Sequence, residues 1–305
     1  MILNKKIAVV VPVYNVGEEI IKFLGNIPDY VDKIFLIDDC CPLQTGKLAE
    51  KNSNDHRLNI IFNNQNLGVG GAVKVGYLKC IENNIDIVVK IDGDNQMDPS
   101  EIYTIVNPLI TQNFDYSKGN RFLNNDKIEN YPIVRFYGNI FLSFMSKLSS
   151  GYWDIFDPIN GFTAIKINIL KKLNLKIIDN GYYFESDMLF NLYNLKIKIK
   201  DVPVKITYHK HQKQNLNVFK ESFNFFNKNI SKIIKRIKTN YFRNNFGLGS
   251  FFIFMFLLSF TFTLLYGGIN YLYYFSIKAF APTGVILISS VSCLLMFLSL
   301  MIFLI

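Results

Sequence analysis

Three carboxylates and the amide of Gln96 fall within seven residues at Asp92, Asp94 and Asp98, directly after the apolar stretch that ends Val88-Val89-Lys90-Ile91. Carboxylates this close repel one another and resist desolvation, so such a cluster generally exists to hold a cation. Oxygen-only ligands at the end of a strand suit Mg²⁺ or Mn²⁺, which in turn neutralise a diphosphate. The plainer reading is a solvated turn in which Asp98 caps the segment opened by Pro99. What separates the two readings is the set of elements that must position the cluster.

Those elements form a recognisable order. Ile7–Val13 is a continuous, mostly β-branched run, as expected of a strand covered on both faces of a parallel sheet. A helix over Glu18–Gly25, strands over Lys33–Ile37 and Leu58–Phe62, a helix over Gly70–Asn83 and a strand over Asp86–Ile91 follow. Alternation of this kind to about residue 115 predicts a doubly wound α/β sheet, whose ligands sit at the carboxyl ends of strands. Pro12-Val13-Tyr14-Asn15, Asp38-Asp39 and Asp92–Gln96 all fall at such ends. Beyond residue 115 the pattern loosens. It still gives strands near Tyr116–Arg121 and Gly161–Ile165, a helix over Arg135–Ser149, and an edge strand over Lys198–Thr207 that carries Pro203.

The carboxyl-terminal part reads differently. No charge occurs between Arg243 and Lys278, and none from Ala279 to Ile305. Each stretch exceeds the roughly 20 apolar residues that cross a bilayer, so Leu248–Phe275 and Thr283–Ile305 read as two transmembrane helices, against the alternative of a buried helical hairpin. Ahead of them, Lys228–Arg243 sets bases and aliphatics at helical spacing, beside Tyr241 and Phe242. That pattern describes an amphipathic helix on an anionic leaflet, and its positive flank predicts that the amino-terminal part faces the cytoplasm. The net charge of +9 is thus mostly a membrane feature. No nucleic-acid-binding fold signature accompanies it. No secretory signal is expected over Met1–Val13. Cys40, Cys41, Cys80 and Cys293 have no metal-ligand spacing and fit a reducing compartment.

Taken together, these residues resemble family 2 glycosyltransferases of the GT-A fold, in the membrane-associated branch that includes dolichyl-phosphate mannose synthases and bacterial polyprenyl-phosphate glycosyltransferases. Val10–Asn15 is similar to that family's opening strand and donor loop, Ile37-Asp38-Asp39 to its second strand end, and Asn66–Ala72 to its glycine turn. Asp92–Pro99 matches its metal loop. Lys118–Phe122, Asp157–Phe162 and Phe184–Met188 complete the series, in family order, over roughly residues 7–210. Two departures concern the donor: Val16-Gly17 stand before Glu18, and Cys40-Cys41-Pro42 replace a Gly/Ser-rich turn.

The resemblance implies a GT-A catalytic domain over 1–215, an interfacial region over 216–245 and a two-helix anchor over 246–305. It implies a nucleotide-sugar donor held by Pro12, Tyr14, Asn15, Asp38 or preferably Asp39, Gly68, Gly70 and Asp92. Mg²⁺ or Mn²⁺ would be held by Asp94 and Gln96, with Asp92 joining the metal or the sugar. Arg121 and Arg135 would bind an acceptor phosphate, a role the guanidinium fork suits. Asp157 and the pair Glu185 and Asp187 decide the mechanism. A sugar-hydroxyl acceptor needs a general base among them, whereas a prenyl phosphate is itself a nucleophile at neutral pH. Lys74 reads as solvated. His209, Lys210, His211 and Lys213 either close over the diphosphate or meet headgroups, and Trp153 either lines the acceptor mouth or packs in the core. The leading expectation is an inverting transfer to a polyprenyl phosphate. Extension of a lipid-linked glycan and a non-catalytic scaffold that keeps the fold are the alternatives, and self-association stays open. Nucleic acid is not an expected partner.

Overall fold

The computed structural model describes residues 4–123, 133–205, 218–243 and 246–304, with backbone alone at 133–137, 139, 218–220 and 304. The run Ile7–Val13 is strand β1, buried at all seven positions. It lies inside a seven-stranded sheet with β2 (Lys33–Asp38), β3 (Leu58–Phe62), β4 (Ile87–Lys90), β5 (Tyr116–Asn120), β6 (Thr163–Lys166) and β7 (Ile199–Pro203), ordered β3-β2-β1-β4-β6-β5-β7. The helices of this part are α1 (Glu19–Gly25), α2 (Thr45–Asn52), α3 (Val69–Glu82), α4 (Ile102–Thr111), α5 (Ile133–Ser150), α6 (Ile167–Leu170), α7 (Phe184–Asn194) and α8 (Val218–Ile237).

The two-residue period of a strand explains how one apolar run fills two cores. Ile7, Val9, Val11 and Val13 pack with Phe23 of α1 and Ile105 of α4 on one face. Ala8 and Val10 pack with Val73 and Tyr77 of α3 and Met188 of α7 on the other. Each fully buried side chain of this size contributes about 1.5–3 kcal/mol relative to exposure. Parallel pairing aligns Val13 with Asp38 and Val10 with Lys90, which brings the acidic strand ends to one edge.

The sheet is mostly parallel and flanked by helices, as expected. Strand β6 runs antiparallel between β4 and β5 and brings the 157–162 loop alongside the end of β4. Helix α2 was not expected. It opens at Gln44 in the left-handed region (φ 50), with no apolar periodicity long enough to announce it. Strand β7 is the edge strand and ends at Pro203, where a missing N–H costs no pairing.

The chain divides into two compact units at residues 233/234, inside α8. Within the first unit, α8 corrects one expectation. Lys228 and Lys232 pair with Asp179 and Asp187 rather than pointing away, and Asn229 is fully buried. The outward edge of the helix is instead apolar, through Phe223, Phe226 and Ile230.

The second unit holds two helices long and apolar enough to cross a membrane, Leu248–Ser276 and Thr283–Phe303, with only 17% and 11% of their residues buried, unlike the core helices of a soluble fold. The first comprises α9 (Leu248–Phe262), a π-helical turn and α10 (Gly268–Ser276). The second lies in α11 (Thr283–Leu304). Thr263 donates a hydrogen bond of 2.8 Å to Ser292 between them. An open hollow of about 920 Å³ between these helices is lined mostly by apolar side chains, with Ser259, Thr261, Asn270 and Ser292 among them and Tyr266 as its one titratable group.

Candidate active site

A cleft of about 550 Å³ opens where β1 and β4 end, bordered by Pro12, Tyr14, Asp39, Gly68, Lys90, Asp92, Asp94, Gly161, Tyr182 and Glu185. Its floor is built around a residue that the sequence reading passed over. Lys90, the last residue of β4, is 1% exposed, and its ammonium lies 2.6 Å from Glu185 Oε1 and 2.8 Å from Asp92 Oδ1. Burial lowers its pKa, but Asp92 and Glu185 outweigh that and raise it above the ordinary lysine value. Lys90 and Asp92 are two apart on an extended chain, so they share a face, a signal that was present in the sequence. Gly161 completes the floor: a Cβ there would overlap Asp92 Oδ2 and Lys90 Nζ.

Asp94 stands on the same side. Its pKa is pushed up to about 6, first by burial and then by the neighbouring charge of Asp92. Asn95 takes a left-handed conformation (φ 58), which turns the chain so that the Gln96 N–H donates to Asp94 Oδ1 at 3.2 Å. Asp98 is the cap of the following turn, accepting from the Ser100 N–H at 2.9 Å. Among the described residues the cleft therefore holds four carboxylates (Asp39, Asp92, Asp94, Glu185) and one ammonium. Among the described residues no three-membered set of His, Cys, Asp and Glu converges as a complete metal cage. Two carboxylates with surplus negative charge fit a hard dication that takes its other ligands from water and substrate phosphate, as Mg²⁺ does.

The donor-side residues separate into two groups. Asp39 borders the cleft and accepts from Asn63 Nδ2 and from the Leu67 and Gly68 N–H groups, all at 2.8–2.9 Å. It thus fixes the glycine turn. Gly68 has φ 81, and a Cβ there would stand 2.6 Å from the Asn180 carbonyl. Gly70 lies just behind this turn, against Asp179 and Phe184. Asp38 lies off the cleft, where its two oxygens accept from the Cys41 and Gly46 N–H groups at 2.7 Å. Asn15, also left-handed (φ 58), donates its N–H to Cys41 Sγ at 3.2 Å and so bends the chain after the half-exposed Tyr14.

The remaining residues form a second centre and a support. Asp157, 1% exposed, accepts from Arg121 Nε at 2.6 Å and Nη2 at 3.1 Å, a bidentate pair. Arg135 lies in α5, its side chain outside the described residues, as are His209, Lys210, His211 and Lys213. Asp187 does not border the cleft. Its oxygens accept from the Asp179 N–H at 3.0 Å, from Asn191 Nδ2 at 3.1 Å and from Lys232. Glu185 and Asp187 sit two apart in the first turn of α7, so helical geometry sends them to different sides. Lys74 is not freely solvated; it donates to the Ile178 carbonyl at 2.7 Å. Trp153 is 38% exposed and meets Phe144 edge-on, so it is a surface residue rather than core.

The match to known proteins follows the same residues. The model of the glycosyl transferase family 2 domain fits residues 8–173, more than half of the chain. The chain belongs to glycosyl transferase family 2. Among curated relatives, this glycosyltransferase is 29% identical over 219 residues to the UDP-N-acetylglucosamine–dolichyl-phosphate N-acetylglucosaminyltransferase of Methanococcus voltae, covering 67% of this chain and 87% of that protein. It is 25% identical over 207 residues to the undecaprenyl-phosphate mannosyltransferase of Micrococcus luteus, covering 65% and 82%. A glucosyl-3-phosphoglycerate synthase from Mycobacterium tuberculosis, solved with Mn²⁺, UDP and glucosyl-3-phosphoglycerate, superposes with a TM-score of 0.57 at 20% identity, covering 76% and 80%, and shows the shared GT-A fold. The family assignment makes the protein an enzyme, and its relatives and apolar helices describe a membrane-associated one.

Proposed function

We propose that this family 2 glycosyltransferase moves a sugar, with inversion, from a nucleotide-sugar donor to a polyprenyl phosphate at the cytoplasmic membrane face. The observation that carries the reading is the convergence of Asp39, Asp92, Asp94 and Glu185 on one cleft at the strand ends, around the buried Lys90. A divalent cation offsets part of that negative charge and in turn meets the diphosphate of a nucleotide sugar, and relatives named for dolichyl- and undecaprenyl-phosphate acceptors supply the acceptor class.

In this reading Asp94 and Asp92, with Gln96 beside them, hold Mg²⁺ or Mn²⁺. The metal, when bound, stabilises the charge of the departing diphosphate. Tyr14, Asp39 and the Gly68–Gly70 turn receive the nucleotide, and Lys90 keeps Asp92 and Glu185 in fixed positions towards the sugar. An oxygen of the prenyl phosphate attacks the anomeric carbon as its bond to the diphosphate breaks. A phosphate with a second pKa near about 6 brings no proton that must leave, so no general base is required. Asp157 orients Arg121 towards that phosphate, and Arg135 is its second ligand. The three-part division at 1–215, 216–245 and 246–305 belongs to the same reading, as does the cytoplasmic orientation.

Transfer to a sugar hydroxyl would need a base in the cleft. Glu185 is tied to the Lys90 ammonium, and Asp187 lies outside, so no observation favours that second reading. The test incubates purified protein in lipid with a panel of radiolabelled nucleotide sugars, with and without polyprenyl phosphate. The expected product is a prenyl monophosphate sugar, identified by mass. Label appearing only in extended lipid-linked glycans would reverse the choice of acceptor.

A further inference from the structure

The wall of the donor cleft opposite the metal loop is the segment 179–187, and it is held from behind by a helix with no part in the chemistry. Asp179 accepts from Lys228 at 2.6 Å, Asp187 from Lys232, and the buried Asn229 accepts from Ser149 at 2.6 Å and Tyr183 at 3.1 Å. Lys228, Asn229 and Lys232 share one edge of α8. On the cleft side the same wall presses on the glycine turn: the Asn180 carbonyl accepts from the Gly71 N–H at 3.0 Å, and Gly181 and Glu185 border the cleft itself. The opposite edge of α8 exposes Phe223, Phe226 and Ile230 at spacings of three and four residues. Ten residues separate Ile237 from Leu248, where the first apolar helix begins, and Lys238–Arg243 among them continue as a π-helix.

We infer that α8 is a positioning element of the donor pocket, holding the 179–187 wall through Lys228, Asn229 and Lys232 while its apolar edge rests on a lipid surface. This rests on the reading of the cleft as the donor site. Asp179 and Asp187 then act as positioning residues that couple membrane contact to the nucleotide pocket. The Lys228 pair is half-exposed and weak by itself, whereas Asp187 is nearly buried, so losing its partner leaves an uncompensated charge. Coupling free energies between sites commonly change affinity 5- to 150-fold, and about tenfold is expected here.

The experiment uses the full chain in nanodiscs of anionic lipid, with UDP and GDP plus Mn²⁺ as probes in calorimetry. The variant Lys228→Met/Lys232→Met should weaken binding of whichever nucleotide the wild type takes by about tenfold. Phe223→Ser/Phe226→Ser/Ile230→Ser should keep the detergent-state affinity but lose any gain seen on transfer to nanodiscs. A folded lysine variant that binds as wild type does would overturn the coupling and leave the donor reading intact. A wild type that binds neither nucleotide would remove the donor reading, and this inference with it. Because the lysine variant risks misfolding, hydrogen exchange on the wild type gives an independent decision. Added nucleotide and Mn²⁺ should slow exchange in both 179–187 and 225–233, and protection confined to the first segment overturns the proposal.

Discussion

The cleft cluster and the Arg121–Asp157 pair are both buried ionic groups, yet they differ in balance. In the cleft, Lys90 serves two carboxylates while Asp94 stands nearby with its pKa pushed up to about 6. At Arg121, among the described residues, the guanidinium meets Asp157 in a bidentate contact, so each charge faces its opposite. A cluster of neighbouring carboxylates is costly to desolvate and is relieved by a cation, so it marks where a ligand is expected. At Arg121 an anion must instead approach a group that Asp157 already orients.

Asp94→Asn tests the unbalanced side most severely. In the proposed reading it removes a negative ligand oxygen from a metal's sparse protein shell, and transfer should fall by about 10²–10³-fold, the usual loss for one transition-state contact. The metal-free fold should gain. A carboxylate whose folded pKa lies above its unfolded value costs stability as pH rises through that folded pKa. Metal-free Asp94→Asn should therefore be more stable than wild type at pH 7.5, with the gap closing as pH falls from about 6 to about 4. Equal denaturation midpoints at both pH values would show that the imbalance is not real.

Lys90→Met sharpens the comparison by making the imbalance worse. Removing the ammonium leaves the buried Glu185, and the partly exposed Asp92 beside it, without their partner, a loss on the order of 3–5 kcal/mol, or roughly 6–20 °C in Tm for a unit of this size. Added Mn²⁺ should recover part of it. A metal-free Tm within 2 °C of wild type, on the order of 1 kcal/mol, would deny Lys90 its role.

On the balanced side, Arg121→Ala should raise the KM for lipid acceptor by about ten- to hundred-fold with little change in donor affinity. It also strands Asp157, so Arg121→Ala/Asp157→Asn is the cleaner variant, because the neutral amide removes the buried charge. A donor KM that moves as much as the acceptor KM would break the separation of the two centres.

These expectations show how much the sequence held. Strand β1 was legible residue by residue because every position is apolar and most are β-branched, and the three polar strand ends fell at one edge as a parallel sheet requires. The acidic loop Asp92–Asp98 was legible because its residues are adjacent in the chain. Pairing across the fold was not. Nothing local announces that Arg121 meets a carboxylate 36 residues on, or that Lys232 of a helix read as wholly interfacial reaches back to Asp187. Glu185 and Asp187 were grouped by proximity, although residues two apart on a helix diverge by about 200°. That spacing alone assigns one to the cleft and the other elsewhere. Strand β6 was placed but not its direction, since a short apolar run carries no sign of parallel or antiparallel pairing.

The smallest effect follows from that divergence. Asp187→Asn should lower kcat less than about tenfold, whereas loss of a general base costs about 10²–10⁴-fold. A severe kcat defect in a folded Asp187→Asn protein, with Arg121 variants near normal, would favour a hydroxyl acceptor after all.

The account turns on a donor cleft that is electrostatically incomplete until a dication and a diphosphate enter it. The most direct measurement follows transfer of labelled sugar to polyprenyl phosphate by the full-length protein, first in excess EDTA and then after Mn²⁺ or Mg²⁺ is restored. The prediction is no lipid-linked product in EDTA, full recovery on adding metal, and recovery for Asp94→Asn that stays about 10²–10³-fold below wild type at every metal concentration tested. Undiminished turnover in EDTA would contradict it.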